Sequence, residues 1–187
     1  MKKNLLFNFI PTAFVFFVTS IAWVIFKISN IEILYLLIGL ILGHFFLDLD
    51  HIFYWFYRKP NTDESRIVQA TIKNGDLKSF FKLVKAARTS HINLIFHHYF
   101  FQISLSLISF FIFISSSNAF VLSFLLSVNL HLLSDEIRDY FNNPKFLQKW
   151  LFAREDKQLS IKSIKNYLIV FSVLLFIFLF LLVKSKT

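Results

Sequence analysis

Long apolar runs separated by charged stretches dominate the chain. Five of them approach the roughly 20 residues a helix needs to cross a bilayer. They are Leu5–Phe26, Ile33 to about Ile52, Ile92–Ile114, Ala119 to about Leu133, and Tyr167–Val183. The fourth is only 15 residues long to Leu133, so spanning draws Asp135 toward the membrane boundary. The pattern predicts an all-α, polytopic integral membrane protein, one transmembrane helical domain over 1–187. Its five spans are expected at about 5–26, 33–52, 92–114, 119–135 and 167–183, with loops at about 58–91 and 136–166. The first run is longer than the core of a secretory signal and no small-x-small cleavage site follows, so it reads as an uncleaved span kinked at Pro11.

Charge then orients the bundle. With the N-terminus inside, 17 Lys and Arg fall in cytoplasmic stretches and three (Lys27, Lys184, Lys186) outside. That bias predicts an N-in, C-out membrane protein, with the bilayer itself as first partner. The two larger loops carry amphipathic patterns. In 77–88, Leu77, Phe80, Phe81 and Val84 recur at helical spacing among lysines, after an Asn74-Gly75 turn and Asp76 as N-cap. Such a helix suits an anionic membrane surface. A similar pattern in 145–152 follows the Asn142-Asn143-Pro144 break.

Composition narrows the chemistry. The chain is 56% hydrophobic with a mean hydropathy of +0.61, and three Gly and three Pro leave little room for β architecture. The net charge of +9 sits in the loops, as topology requires, so nucleic acid is not an expected partner. With no cysteine, thiolate metal sites are excluded. A bound divalent metal would use imidazole and carboxylate, zinc being the first candidate and manganese, iron or magnesium the others.

Those groups are present where the membrane makes them costly. Gly43-His44-Phe45-Phe46-Leu47-Asp48-Leu49-Asp50-His51 ends the second span. An ionisable group at membrane depth costs roughly 2.5–3.5 kcal/mol and marks a functional site by default. His44, Asp48 and His51 fall at i, i+4, i+7, one face of a continuous helix. His97 and His98 are expected about two turns into the third span, and His131 and Asp135 at i, i+4 near the cytoplasmic end of the fourth. Three spans thus bring ligand-type residues to one leaflet, a pattern that suits metal chelation. Each piece also has a plainer reading: a local His–Asp hydrogen bond, an interhelical bond from His97 or His98, or a solvated face of Asp135, Glu136 and Asp139. His91, at a loop-to-helix junction, is read as solvated. Gly39 and Gly43 predict close helix packing, and Gln102, Ser106 and Ser109 an interhelical hydrogen-bonding stripe.

At Leu47-Asp48-Leu49-Asp50-His51, His97 or His98, and His131-Leu132-Leu133-Ser134-Asp135, the chain resembles a bacterial inner-membrane family of membrane-bound, metal-dependent hydrolases. Some of that family's members are described as LexA-binding. The likeness covers roughly residues 39–140. It departs from the family pattern in having no histidine in the first span, where His44 could fill the vacancy. His97-His98-Tyr99 also stands in place of a His-Arg-Gly-x-Thr-His-Ser signature. The resemblance implies a divalent metal held by Asp48, Asp50, His51, His97, His131 and Asp135, with His98 as a further ligand. Asp50 and His44 are the expected catalytic groups. The implied reaction is attack of activated water on a phosphoester or other ester of a lipid or lipid-linked substrate. Two other readings use the same residues: a non-catalytic polar or metal staple, and a divalent-cation or proton carrier.

Overall fold

A computed structural model describes residues 5–87, 94–153 and 159–186. His91 and Arg88, and the terminal Lys2 and Lys3, lie outside the described residues. All regular structure among the described residues is helical. The long elements are α1 (Leu5–Ile25), α2 (Asn30–Phe46), α6 (Tyr99–Ser115), α7 (Ala119–Asn142) and α9 (Ile161–Lys184). The short ones are α3 (Leu49–Phe53), a π-helical turn Tyr54–Arg58, α4 (Asp63–Lys73), α5 (Leu77–Ala87) and α8 (Pro144–Leu151).

Three stretches are long and apolar enough to cross a membrane: Asn30–Arg58, which joins α2, α3 and the π turn, then Ala119–Asn142 and Ile161–Lys184. The apolar parts of α1 (Phe9–Ile25) and α6 are shorter. Both nevertheless expose large apolar side chains, Phe14, Phe17 and Ile21 of α1 and Leu107, Phe111 and Ile114 of α6.

Contacts fix the direction of each helix. On α2 and α7 the pairs Gly39–Phe120, Leu40–Ser127 and His44–His131 advance together, so these two helices run parallel. Between α6 and α7 the pairs Gln102–Glu136 and Ser109–Asn129 run in opposite senses, so that pair is antiparallel. Phe113 stacks on Phe178 while Tyr167 bonds Gln102, which makes α9 parallel to α6. Trp23 near the end of α1 donates to the Val183 carbonyl near the end of α9. The five long helices therefore alternate in direction along the chain.

Helix α7 is the central rod, packed on α1, α2, α6, α8 and α9. Small residues let α2 approach it. A Cβ on Gly39 would come 2.5 Å from the Phe120 carbonyl oxygen, and one on Gly43 2.8 Å from Ser127 Cβ. The expected close packing at Gly-x-x-x-Gly is thus what α2 and α7 do.

Four expectations need correction. The second run is not one α-helix to Ile52. Asp48, Asp50 and His51 donate to Phe45, Leu47 and Asp48, i→i−3 bonds that tighten one turn to 3₁₀ geometry. That turn has about three residues instead of 3.6, and beyond it His44 and His51 are buried while Asp48 is half-buried. The third helix starts at Tyr99, so His97 and His98 precede it instead of lying two turns inside. The fourth runs on to Asn142, where the following Asn143-Pro144 stops it, and the fifth starts at Ile161, capped by Ser160.

A small second core sits beyond the end of α3. Trp55 packs with Val68 of α4 and Val84 and Ala87 of α5, flanked by Phe80 and Leu83. The helix expected over 77–88 forms as α5, but Phe80 and Val84 face this core and not a membrane. Helix α4 was not expected; Thr62 caps it by accepting from the Ser65 amide.

Candidate functional site: a buried histidine–aspartate cluster

Asp50 organises one half of the cluster. It is 2% exposed, and its Oδ1 accepts from the Ile95 amide at 3.1 Å while Oδ2 accepts from the Phe96 amide at 2.6 Å. The same Oδ2 lies 3.3 Å from His97 Nδ1. A carboxylate can only accept when ionised, so Nδ1 of His97 carries the proton in this contact and Nε2 is the ring's remaining lone-pair atom. These bonds tie the segment just before α6 to the end of the first long stretch, and α6 opens at Tyr99. His98 Nδ1 then accepts from the Phe100 amide at 3.3 Å, making His98 the N-cap of α6. The ring of His51 lies 5.9 Å from that of His97, centroid to centroid.

The other half runs along α2 and α7. His131 Nδ1 donates to the His44 carbonyl oxygen at 2.6 Å, and its Nε2 lies 3.4 Å from Asp135 Oδ2. The His44 ring stacks on His131 with centroids 4.6 Å apart, touches Phe9, and has Nδ1 3.3 Å from the Thr12 hydroxyl. Asp135 Oδ1 receives Arg138 at 2.7 Å, and Arg138 Nε donates to Asp139 at 3.3 Å. Asp139 in turn accepts from the Trp150 indole at 3.1 Å.

The halves meet at one cavity of about 20 Å³, lined by His51, Leu94, His97, Asp135, Arg138, Asp139 and Trp150. That is room for one water or ion. Of the expected site residues, His51, His97 and Asp135 therefore come together. Asp50 supports His97 from behind and His131 supports Asp135. His44 lies behind His131, His98 serves as a cap, and half-buried Asp48 is not on the cavity wall. Among the described residues no group of three or more His, Asp or Glu side chains is arranged to hold a metal ion as it stands.

The donor types at this cavity, two imidazoles and a carboxylate, are ones that zinc takes, though they are not arranged around a common point. The His51 and His97 rings lie 5.9 Å apart, centroid to centroid, on the wall of this cavity. Asp135 adds a carboxylate to the same wall.

Sequence reasoning missed Arg138, which brings a cation into the cluster, and the closing role of Trp150. The i, i+3 spacing of Asp135 and Arg138 was the available signal. A separate polar line joins α6, α7 and α9. Glu136, fully buried, accepts from Gln102 at 3.0 Å, Tyr167 bonds Gln102, and Asn129 bridges Ser106 and Ser109. This is the stripe the sequence predicted, with Glu136 buried in it and not on a solvated face. The second cavity, about 410 Å³, lies at the opposite end of the bundle among Glu32, Tyr35, Ser115–Asn118 and Lys186, with no histidine.

No protein-family model matches the chain, and neither a curated protein nor a solved structure does.

Proposed function

We propose that the chain is a membrane-embedded, metal-dependent hydrolase-like protein acting on a phosphoester or related ester of a lipid or lipid-linked molecule. The observation that carries this reading is the single small cavity shared by His51, His97 and Asp135, which come from three separate segments. These three would hold a divalent metal, zinc being the best match to two imidazoles and a carboxylate. Such an ion would supply Lewis acidity and an activated water. Asp50 keeps the proton of His97 on Nδ1, the role a carboxylate behind a ligating histidine plays. His131 orients Asp135, and His44 holds His131 through its carbonyl. Arg138 offers a guanidinium at the cavity wall, suited to an ester phosphate. About 20 Å³ admits no ester, so turnover requires α8, which carries Trp150, to move. The charge bias of the loops supports five crossings with this site at the cytoplasmic face.

Arg138 also favours a second reading. Its ion pair with Asp135 already supplies a positive charge, so the cluster would serve as a non-catalytic staple between helices. One experiment separates the two. Protein purified in mild detergent and incubated with zinc is expected to retain about one ion per chain, measured by mass spectrometry. His97→Ala and Asp135→Ala should lose it, and a generic phosphoester should be cleaved only by the loaded protein. Wild type that holds no ion, with stability indifferent to chelator, would overturn the metal reading. An ion held without turnover leaves the staple.

A further inference from the structure

The lipid-facing side of the first long stretch can be followed to its end. Leu34, Ile38, Ile41, Phe45, Leu49 and Phe53 recur at helical spacing, all exposed, and the series closes on Tyr57, 75% exposed. Exposed Arg58 and Lys59 follow. An aromatic ring followed by basic residues is how a span meets headgroups. Trp55 sits at this level, and it anchors α4 and α5. A first stretch that crosses the bilayer up to Tyr57 would hold the α4–α5 hairpin at the membrane surface.

Around α5 the side chains divide into three sectors at 100° per residue. Leu83, Ala87, Phe80 and Val84 form the sector packed toward Trp55. Leu77 and Phe81 come next, yet they are 64% and 55% exposed. Lys78 and Lys82, also exposed, border them on the far side. Large apolar residues left bare beside a row of lysines make little sense facing water. They suit an interface where rings and aliphatic chains enter the acyl boundary while ammonium groups stay among headgroups.

We propose that this sector of α5 is a docking surface for anionic lipid, with Leu77 and Phe81 inserted and Lys78 and Lys82 paired to acidic headgroups. The inference stands apart from the metal reading and from the orientation of the chain. It rests on the depth of Trp55 and on the sign of the exposed charges.

The absence of native cysteine allows a direct test. Full-length Leu77→Cys and Phe81→Cys proteins, each carrying a nitroxide, are reconstituted in phosphatidylcholine vesicles with or without one-third phosphatidylglycerol. Collision rates with oxygen and with a polar nickel complex report depth. In anionic vesicles both labels should be oxygen-accessible and shielded from nickel. Adding K78Q/K82Q should lower the inserted-to-free ratio about twenty-five-fold, at roughly fivefold per lysine. Molar salt should do the same. Labels that stay nickel-accessible in anionic vesicles, or a depth identical with and without phosphatidylglycerol, would overturn the proposal. All four positions are exposed, so misfolding is not expected to mask the result; an unchanged thermal transition of each variant checks this.

Discussion

At Gly43 a single methyl group would decide how far apart two helices lie. Its Cβ would meet Ser127 Cβ at 2.8 Å and the Phe124 backbone, and neither can swing aside as a flexible side chain can. Gly43→Ala must therefore push α2 from α7, at a cost of about 1–3 kcal/mol typical of overpacking. Leu42→Ala, at a half-exposed neighbour, should cost far less. Thermal unfolding of both variants in the same detergent checks the contrast; equal transitions would mean that the helices do not touch there. Residue-level chemistry was largely legible in the sequence, because a glycine, histidine or aspartate in an apolar run needs a local reason. Which histidine does what was not. His97 and His98 are adjacent, and only the backbone amides held by Asp50 make one a partner of that carboxylate and the other a helix cap.

At the level of elements, α5 depends on its first turn. Asp76 Oδ1 accepts from the Ser79 amide at 3.0 Å. Hydrogen bonding from the Ser79 side chain first, and from its amide second, holds the Asp76 carboxyl below its ordinary value of 3.8. A carboxyl whose folded value is depressed stabilises the fold above the ordinary value, and the contribution fades as pH falls through the lower folded value. Exchange protection of the Ser79 amide should thus be steady from neutral pH down to about 4 and drop below it. Asp76→Ala should lack that acid-side step; a step of the same size in both proteins would remove the cap from the argument. The cap at Asp76 could be read in advance, since Asn74-Gly75 before it and apolar periodicity after it agree. Helix α4 carries comparable signals, Thr62 followed by Asp63 and Glu64 with Lys73 in the last turn, but lacks a broad apolar stripe, which hid it. The tightened turn at Leu47–Asp48 left no such trace, because Leu, Asp and His are all compatible with a regular helix.

For the whole molecule the decisive fact is the alternation of helix direction. Length alone singles out three helices able to cross. If only those three crossed, α6 would stay on one side, and the turn before α7 would lie with the loop that precedes α4. Yet α6 runs antiparallel to α7 along a shared polar line, and α1 runs alongside α9 at their C-terminal ends. An α6 of 17 residues is about 25 Å long, and flanking polar residues or slight local thinning accommodate such a shortfall at modest cost. The proposed five crossings would put Ser117 and Asn61, both exposed, on opposite faces of the membrane. Because the chain has no cysteine, Ser117→Cys and Asn61→Cys each carry one thiol. A membrane-impermeant maleimide applied to intact cells should label Ser117→Cys, and Asn61→Cys should react only after lysis. Labelling of both from the same side would leave three crossings, and would put the site's end of α6 on the same side as its far end. The histidine–aspartate cluster would then lie at the mouth of a shallower bundle, with α6 resting against it and not passing through the bilayer.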